Sequence, residues 1–167
     1  KSHYTPPAIT ESLARFRVDH PDPMRAAFIM MKFGQTVVHD KLLEAIRVTL
    51  KLHGIAGLRA DDKEYAEDLL PNIQTYMHGC GFGIVVFERL QSDEFNPNVA
   101  FEAGYMMAMP KPVLLLKDRT LGRLHTDLVS RLFRVFDPQD VGGTVQAPLE
   151  AWLREKDIVA VDGALPV

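Results

Sequence analysis

Short apolar runs alternate along this chain with longer segments whose apolar residues recur at helical spacing. The runs are typical of strands covered on both faces, because strands inside a parallel sheet are nearly continuous apolar stretches. We predict strands at residues 26–31, 55–60, 83–87, 113–116 and 133–136. The segments between and after them predict helices at residues 40–53, 69–80, 96–109, 127–132 and 145–156.

This alternation predicts βαβ units and therefore a largely parallel sheet. We predict an α/β fold of the flavodoxin-like type: a doubly wound sheet of about five mostly parallel strands in the order 2-1-3-4-5, with helices on both faces. In that order, ligands bind beyond the carboxyl ends of strands one and three, where the winding direction reverses. These ends lead into residues 32–38 and residues 88–98, so we expect the functional site between those two loops.

The amino-terminal part of the sequence has a different character. Residues 1–25 contain four prolines and no sustained apolar period, which predicts a loosely structured lead-in or linker with a short helix over residues 11–17. Residues 26–160 then form one α/β domain, and residues 161–167 form a tail. Because the sequence starts at Lys1 rather than Met, we expect a module cut from a longer chain, whose other domains are its partners.

The composition excludes several classes of partner and site. The 167 residues carry 19 basic and 22 acidic side chains, a net charge of −3, which argues against direct binding of nucleic acid or of an anionic membrane. A single cysteine, Cys80, excludes a disulfide framework and a multi-cysteine metal site and agrees with a cytoplasmic location. We predict no metal and no membrane contact, since no apolar run approaches the ~18 residues that a membrane helix needs.

Glu102 is the residue that best fits a chemical role. Asn96 and Pro97 form a strong helix-start signal at the predicted crevice, and they place Glu102 in the second turn of the helix. Asn98 lies four residues before Glu102 and Tyr105 three after it, so we expect these side chains on one helix face. An early glutamate often only complements the positive end of a helix, but the apolar and amide neighbours of this one predict a pocket.

The Asn-Pro-Asn-Val segment at residues 96–99, continued by an aromatic residue, Glu102, Gly104 and Tyr105, resembles the signature of the TIR-like proteins, within the group of nucleoside 2-deoxyribosyltransferase-like folds. A Lys-Pro-Val-Leu-Leu-Leu segment follows it, as in that signature. The Arg-Ala-Asp turn and the opening Phe-Ile-Met-Met-Lys-Phe strand resemble the bacterial branch of the group. The resemblance covers residues 27–137, which is most of the chain.

The resemblance implies an N-glycosidic site in which Glu102 is the catalytic carboxylate and faces the ribose of a nucleotide, commonly NAD. Cleaving the bond to the base develops oxocarbenium character at the sugar, which a nearby carboxylate stabilises or captures. Nicotinamide leaves NAD as a neutral molecule, so neither a general acid nor a cofactor is required. We predict a TIR-like NAD+ glycohydrolase, a regulated effector module of a larger signalling or antiphage-defence protein that works as a homo-oligomer.

Two other functions stay open from the sequence. A nucleotide-sensing or self-association module would use Glu102 for binding alone, without turnover. A nucleoside 2-deoxyribosyltransferase or nucleotide N-glycosidase would need a second acid, because a neutral base usually requires protonation to leave. The acidic residues near the crevice are Asp61, Asp62, Glu88, Asp93 and Glu94, and none has a context that singles it out.

We predict seven substrate-binding residues around Glu102: two aromatic residues for the base, two cations for phosphate, and three small or polar residues near the crevice. They are Phe33 and Tyr105, Lys32 and Arg59, and Gly34, Asp61 and Asn98. The related transferases tend to end their third strand in an acidic residue that faces the sugar. Here Phe87 precedes Glu88, and the strand pattern alone does not decide whether Glu88 faces the crevice.

Overall fold

The computed structural model of the chain describes residues 4–91, 96–121 and 133–160. Five strands form a sheet in the order β2-β1-β3-β4-β5, and every neighbouring pair is parallel. The strands are β1 (Ala26–Met30), β2 (Ala56–Leu58), β3 (Phe82–Phe87), β4 (Val113–Asp118) and β5 (Phe133–Phe136). The predicted flavodoxin-like order, 2-1-3-4-5, is therefore confirmed.

Helices cover both faces of the sheet, as predicted. They are α1 (Thr10–Asp19), α2 (Val37–Leu52), α3 (Leu69–Gly79), α4 (Pro97–Ala108) and α5 (Val141–Glu155). Single 3-10 turns at Pro7–Ile9 and Pro23–Arg25 precede α1 and β1. Within the ranges that the structure describes, none of the helices has both the length and the apolar character needed to cross a bilayer.

Each face of the sheet has its own hydrophobic core. On one face α2 and α5 pack against the strands, and on the other face α1, α3 and α4 form the cover. The alternation of side chains along a strand divides β1 between the cores, so that Ile29 points to the first, whereas Phe28 and Met30 point to the second. Every residue of β1 and β3 is buried, which explains why both strands are nearly continuous apolar runs.

Two helices begin earlier than their apolar periodicity predicts, because polar caps set the starts. The Thr36 side chain accepts a hydrogen bond from the His39 amide, and α2 begins at Val37. Asp140 accepts one from the Gly143 amide, and α5 begins at Val141. The first turn of α5 contains two glycines, which are poor helix formers and conceal the start. The helix predicted at residues 127–132 lies outside the described residues.

The α1 helix of the lead-in segment is packed on the domain. The helix predicted over residues 11–17 lies within α1, where Leu13 and Phe16 are buried and the Phe16 ring packs against Tyr76 of α3. A Cβ atom on Gly79 would lie 2.3 Å from the Phe16 ring, so this close approach requires a glycine at the end of α3. The segment is thus better ordered than its proline content indicates, because residues of α3, far along the chain, supply the packing surface.

Candidate active site

The start of α4 places Glu102 at the carboxyl edge of the sheet. The Asn96 side chain accepts hydrogen bonds from the amides of Asn98, at 3.0 Å, and Val99, at 3.3 Å, while Pro97 occupies the first helical position. The buried side of the helix, which includes Val99, packs against the core under α3 and α4. Glu102 therefore extends from the second turn toward the crevice above β1 and β3.

Two adjoining cavities share the Glu102 side chain as part of their walls. The first, which we call the Arg59 cavity, has a volume of about 340 Å³, and its charged lining residues are Arg59, Asp61, Glu64, Glu67 and Glu102. The second, the Asn98 cavity, has a volume of about 320 Å³ and a mainly apolar wall. Its lining residues include Met31, Leu69, Leu70, Ile73, Val99 and Phe101, together with Lys32, Asn96 and Asn98. Both volumes lie in the range of small-ligand sites.

Burial makes the Glu102 carboxyl a weaker acid than an exposed glutamate. Its withdrawal from water raises the pKa of Glu102 from 4.5 to about 7, and the positive charge of Arg59 partly opposes this effect. A carboxyl with such a pKa exists in both protonation states near neutral pH. It can therefore act as an anion in one step of a reaction and hold a proton in another.

Arg59 is the buried cation of the site, with 9% of its surface exposed. Its Nε lies 3.1 Å from an Asp61 carboxylate oxygen, and its guanidinium carbon lies 4.4 Å from the centroid of the Phe33 ring. The Arg59 Nη2 atom is shielded from solvent and has no hydrogen-bond partner among the described residues. A donor left unpaired in this way favours binding of an anion by a small movement of the side chain.

Six of the eight predicted site residues line these cavities. Phe33, Arg59, Asp61 and Glu102 line the Arg59 cavity. Lys32 and Asn98 line the Asn98 cavity, and Phe33 and Glu102 also contribute to its wall. Phe33 keeps 62% of its surface exposed, which leaves its ring available for stacking. The structure thus brings together the proposed carboxylate, both cations and one aromatic surface.

Gly34 and Tyr105 line neither cavity. A Cβ atom on Gly34 would lie 2.2 Å from the His39 ring, so this glycine makes room for that histidine. The Tyr105 hydroxyl lies 3.0 Å from His78 Nε2 and accepts a longer hydrogen bond, of 3.4 Å, from Gln74 Nε2. Its side chain therefore belongs to the contact between α3 and α4 rather than to the lining of the crevice.

Glu88, one of the candidates for a second acid, is occupied elsewhere. Its carboxylate lies 2.9 Å from His39 Nε2, with the two side chains 3% and 2% exposed, and it also accepts a hydrogen bond from the Leu90 amide. The other His39 ring nitrogen lies 2.6 Å from the Thr36 hydroxyl. Glu88 lines neither cavity, and its pair with His39 joins the end of β3 to the start of α2.

The remaining acidic candidates have different surroundings. Asp62 accepts hydrogen bonds from Arg47, at 2.8 Å, and from the Arg59 amide, at 2.7 Å, and so shapes the loop that carries Arg59. Asp93 and Glu94 lie outside the described residues. Asp61 lines the Arg59 cavity. Across the described part of the chain, no group of three or more His, Cys, Asp or Glu side chains could hold a metal ion.

Part of the cavity wall was not predicted from the sequence. Glu64, Glu67 and Asn72 line the Arg59 cavity, and the loop before α3 carries the first two. Leu69 and Leu70 fit the apolar period of α3, which predicts burial, yet they are 73% and 47% exposed and line the Asn98 cavity. The sequence gives one indication of this exposure: both residues lie at the start of α3, where the helix borders the crevice rather than the core.

Comparisons with known proteins support the fold. No family model matches the sequence, and no curated protein is similar to it in sequence. A 2-deoxyribosyltransferase from Bacillus psychrosaccharolyticus is similar in structure, with a TM-score of 0.50 and 18% identity, over 74% of this chain and 95% of that chain. A 2-desoxiribosyltransferase from Leishmania mexicana has a TM-score of 0.42 and 22% identity, over 56% of this chain and 64% of that chain.

A third similar structure is a point mutant of a flavo di-iron protein from Thermotoga maritima, with a TM-score of 0.49 and 15% identity, over 89% of this chain and 38% of that chain. At these identities the likeness shows the fold alone. The chain thus has an α/β fold like that of the nucleoside 2-deoxyribosyltransferases, a group that the sequence resemblance names. No sequence comparison supports the TIR-like assignment, which stays a prediction.

Proposed function

We propose that this chain cleaves the N-glycosidic bond between the base and the sugar of a nucleotide, and that its substrate is NAD. The observation that carries the proposal is that Glu102, whose pKa is raised to about 7, lines the same cavity as Arg59, whose Nη2 atom has no hydrogen-bond partner among the described residues. A carboxylate and an arginine with an unpaired donor in one cavity suit a substrate that develops positive charge at the sugar and carries negative charge on phosphate.

The chemistry requires one ionised carboxylate. As the bond between C1′ and the base nitrogen breaks, its electron pair leaves with the base and positive charge grows on the sugar. The Glu102 carboxylate stabilises that charge or forms a covalent bond to C1′. Water then attacks C1′, and where a covalent bond to Glu102 has formed, that bond breaks and its electron pair returns to the carboxylate. The carboxylate accepts the proton that the water loses, which its raised pKa favours.

The two cavities suggest how a long substrate would lie. Glu102 is part of the wall that they share, and on this proposal the scissile bond lies between them, with the base on one side and the phosphates on the other. The exposed Phe33 ring provides a stacking surface at the same boundary. Arg59 offers a donor to a phosphate oxygen, and Lys32 lies in the wall of the Asn98 cavity.

A positively charged base fits this site better than a neutral one. Nicotinamide is cationic while bound in NAD and needs no proton to leave, so its release requires no general acid. Glu88 lies outside both cavities and is paired with His39, so it is unavailable as an acid for a neutral base.

On the same proposal, the chain is an effector module that works as a homo-oligomer within a signalling or defence protein.

Nucleoside deoxyribosyl transfer is the second candidate function. Its support is the fold, which is similar to that of the Bacillus psychrosaccharolyticus 2-deoxyribosyltransferase over 95% of that chain. In such a reaction Glu102 would hold the deoxyribosyl group until a second base displaced it. The neutral base would have to take its proton from another group that lines the Arg59 cavity, such as Asp61.

A substrate panel separates the two candidates. Purified protein is incubated with NAD and, separately, with a deoxynucleoside and an acceptor base, and free nicotinamide and exchanged nucleosides are quantified by chromatography. We expect nicotinamide from NAD and no exchange. Base exchange without nicotinamide release would favour the transferase, and saturable binding of NAD without products would favour a sensing module. The panel is run over about a hundredfold range of protein concentration, because assembly depends on concentration.

A further inference from the structure

The loop before α3, at residues 59–68, carries most of the charge in the Arg59 cavity, and we call it the cavity loop. Arg59, Asp61, Glu64 and Glu67 lie on this loop, whereas Glu102 comes from α4 on the other side of the cavity. The distance between the loop and α4 therefore sets how these charges face Glu102. Whatever holds the loop in place also sets the shape of the cavity.

The first support of the cavity loop comes from α3. The buried Asn72 side chain accepts hydrogen bonds from the amides of Tyr65, at 2.7 Å, and Ala66, at 3.2 Å, and donates one of 2.8 Å to the Ala60 carbonyl. The Tyr76 hydroxyl lies 3.1 Å from the Lys63 amide. These contacts are buried or partly buried, and they hold the backbone of the cavity loop against α3.

The second support comes from α1, in the segment that the sequence separates from the domain. One Asp19 carboxylate oxygen accepts hydrogen bonds from the Tyr65 hydroxyl, at 2.6 Å, and from Lys63 Nζ, at 2.5 Å. Arg15 donates a hydrogen bond to the Tyr65 carbonyl. The Tyr65 ring is buried, with its centroid 5.2 Å from that of the Phe16 ring of α1. The α1 helix thus holds the middle of the cavity loop by both polar and apolar contacts.

The two supports differ in their exposure to solvent. Asn72 is 4% exposed, whereas the Asp19 and Lys63 side chains are 36% and 57% exposed. A change at Asn72 would leave buried amides unsatisfied and disturb the fold as a whole. The contacts at the Asp19 end are partly exposed, so a change there alters the position of the loop at smaller expense to stability.

From this arrangement we infer that Asp19 and Tyr65 are positioning residues for the substrate site. By fixing the cavity loop to α1, they hold Arg59 and the loop carboxylates at the spacing from Glu102 that binds substrate. The expected effect on substrate binding and turnover rests on the proposed function, whereas the expected effect on the position of the cavity loop does not. The α1 helix is on this account a working part of the site rather than a linker.

The test uses Asp19→Asn, Tyr65→Phe and the double variant in the full chain, with Glu11→Gln, an exposed change on the same helix, as the control. Tyr65→Phe keeps the buried ring and removes only the hydroxyl. We expect each single variant to raise the KM for NAD by about five- to tenfold with kcat changed by less than about twofold. The double variant should be no worse than the more severe single variant, because both remove one shared contact.

Hydrogen exchange gives a readout that does not depend on turnover. The amides of the cavity loop should exchange about tenfold faster in both single variants and at the wild-type rate in Glu11→Gln. Unchanged exchange, or a fall of kcat and melting temperature together without a change in KM, would overturn the inference. If the wild-type chain leaves NAD intact, the proposed function fails, and the exchange rates alone then decide whether α1 holds the loop.

Discussion

Burial of the Glu102 carboxyl makes the folded chain sensitive to pH. The pKa of this group is about 7 in the folded chain and 4.5 in the unfolded reference, so the folded state retains the proton over the interval between them. The unfolded state then binds fewer protons, and the free energy of unfolding falls as the pH rises from about 4.5 to about 7. An ionisable side chain in such a buried position lowers the stability of the fold, as residues of functional sites commonly do.

Replacing Glu102 by glutamine should therefore stabilise the chain at high pH. The amide keeps the shape of the side chain without its charge, so we expect Glu102→Gln to raise the free energy of unfolding at pH ~8 by about 1–2 kcal/mol, after allowance for the solvent that still reaches the group. At pH ~4 the two proteins should be equally stable, because the carboxyl is then protonated in both states. Urea denaturation at the two pH values measures this difference.

A glutamine variant that is less stable than the wild type at pH ~8 would contradict the account. The control is Glu44→Gln, at an exposed position of α2.

Arg59 should contribute to affinity through its guanidinium fork rather than through charge alone. Arg59→Lys keeps the positive charge but loses the stacked plane over Phe33 and the unpartnered Nη2 donor. We expect this variant to bind ADP-ribose about tenfold more weakly in calorimetric titration and to bind adenosine, which has no phosphate, with unchanged affinity. An equal loss for both ligands would mean that the change disturbs the stacking surface instead of an anion contact.

The start of α2 and the segment after β3 are joined by the pair of His39 and Glu88. Its two side chains are almost completely buried, and removing one partner of such a pair leaves an uncompensated polar group. Glu88→Ala should therefore destabilise the chain by about 3–5 kcal/mol. Glu88→Gln should cost less, because its amide still forms a hydrogen bond with His39. Both values come from urea denaturation.

The same variants test whether Glu88 takes part in the chemistry. If the pair is structural, kcat of folded Glu88→Gln should stay within about fivefold of the wild-type value. A loss of about 10³-fold in a variant that is still folded would instead assign Glu88 a role as an acid or base.

The elements that the sequence predicts well are those with strong local signals. The buried strands are visible as apolar runs, and the caps at Asn96 and Pro97 fix the start of α4 and so the place of Glu102. The start of α5 is hidden because Gly142 and Gly143 disrupt the helical pattern. Local patterns thus predict the sheet and the position of the catalytic candidate, and they fail where glycines interrupt the helical pattern after a cap.

The rest of the site depends on contacts between distant parts of the chain. Helical spacing allows Asn98, Glu102 and Tyr105 to share a face, but the contact with His78 on α3 draws Tyr105 away from the crevice. The hydrogen bond between Asp19 and Tyr65 joins residues 46 positions apart. No local pattern contains such information, because the packing of α1 and α4 against α3 creates these contacts.

In the molecule as a whole, the candidate active site lies at the edge of the sheet where the winding direction reverses. Met30 is paired with Val85, so β1 and β3 end side by side where the winding of the sheet reverses. The cavity loop and the loop after β1 surround this point, and α4 delivers Glu102 into it. The net charge of −3 does not exclude an anionic substrate there, because Arg59 supplies positive charge locally.

The most direct test of the central claim is the pH dependence of nicotinamide release from NAD by the wild-type chain and by Glu102→Gln. An ionised Glu102 predicts that kcat/KM for the wild type falls about tenfold per pH unit below about 7 and is level above it. Glu102→Gln should lose at least about 10³-fold at every pH, with Glu44→Gln unchanged. A Glu102→Gln variant that keeps kcat/KM within about threefold of the wild-type value would contradict the claim that this carboxylate acts on the sugar.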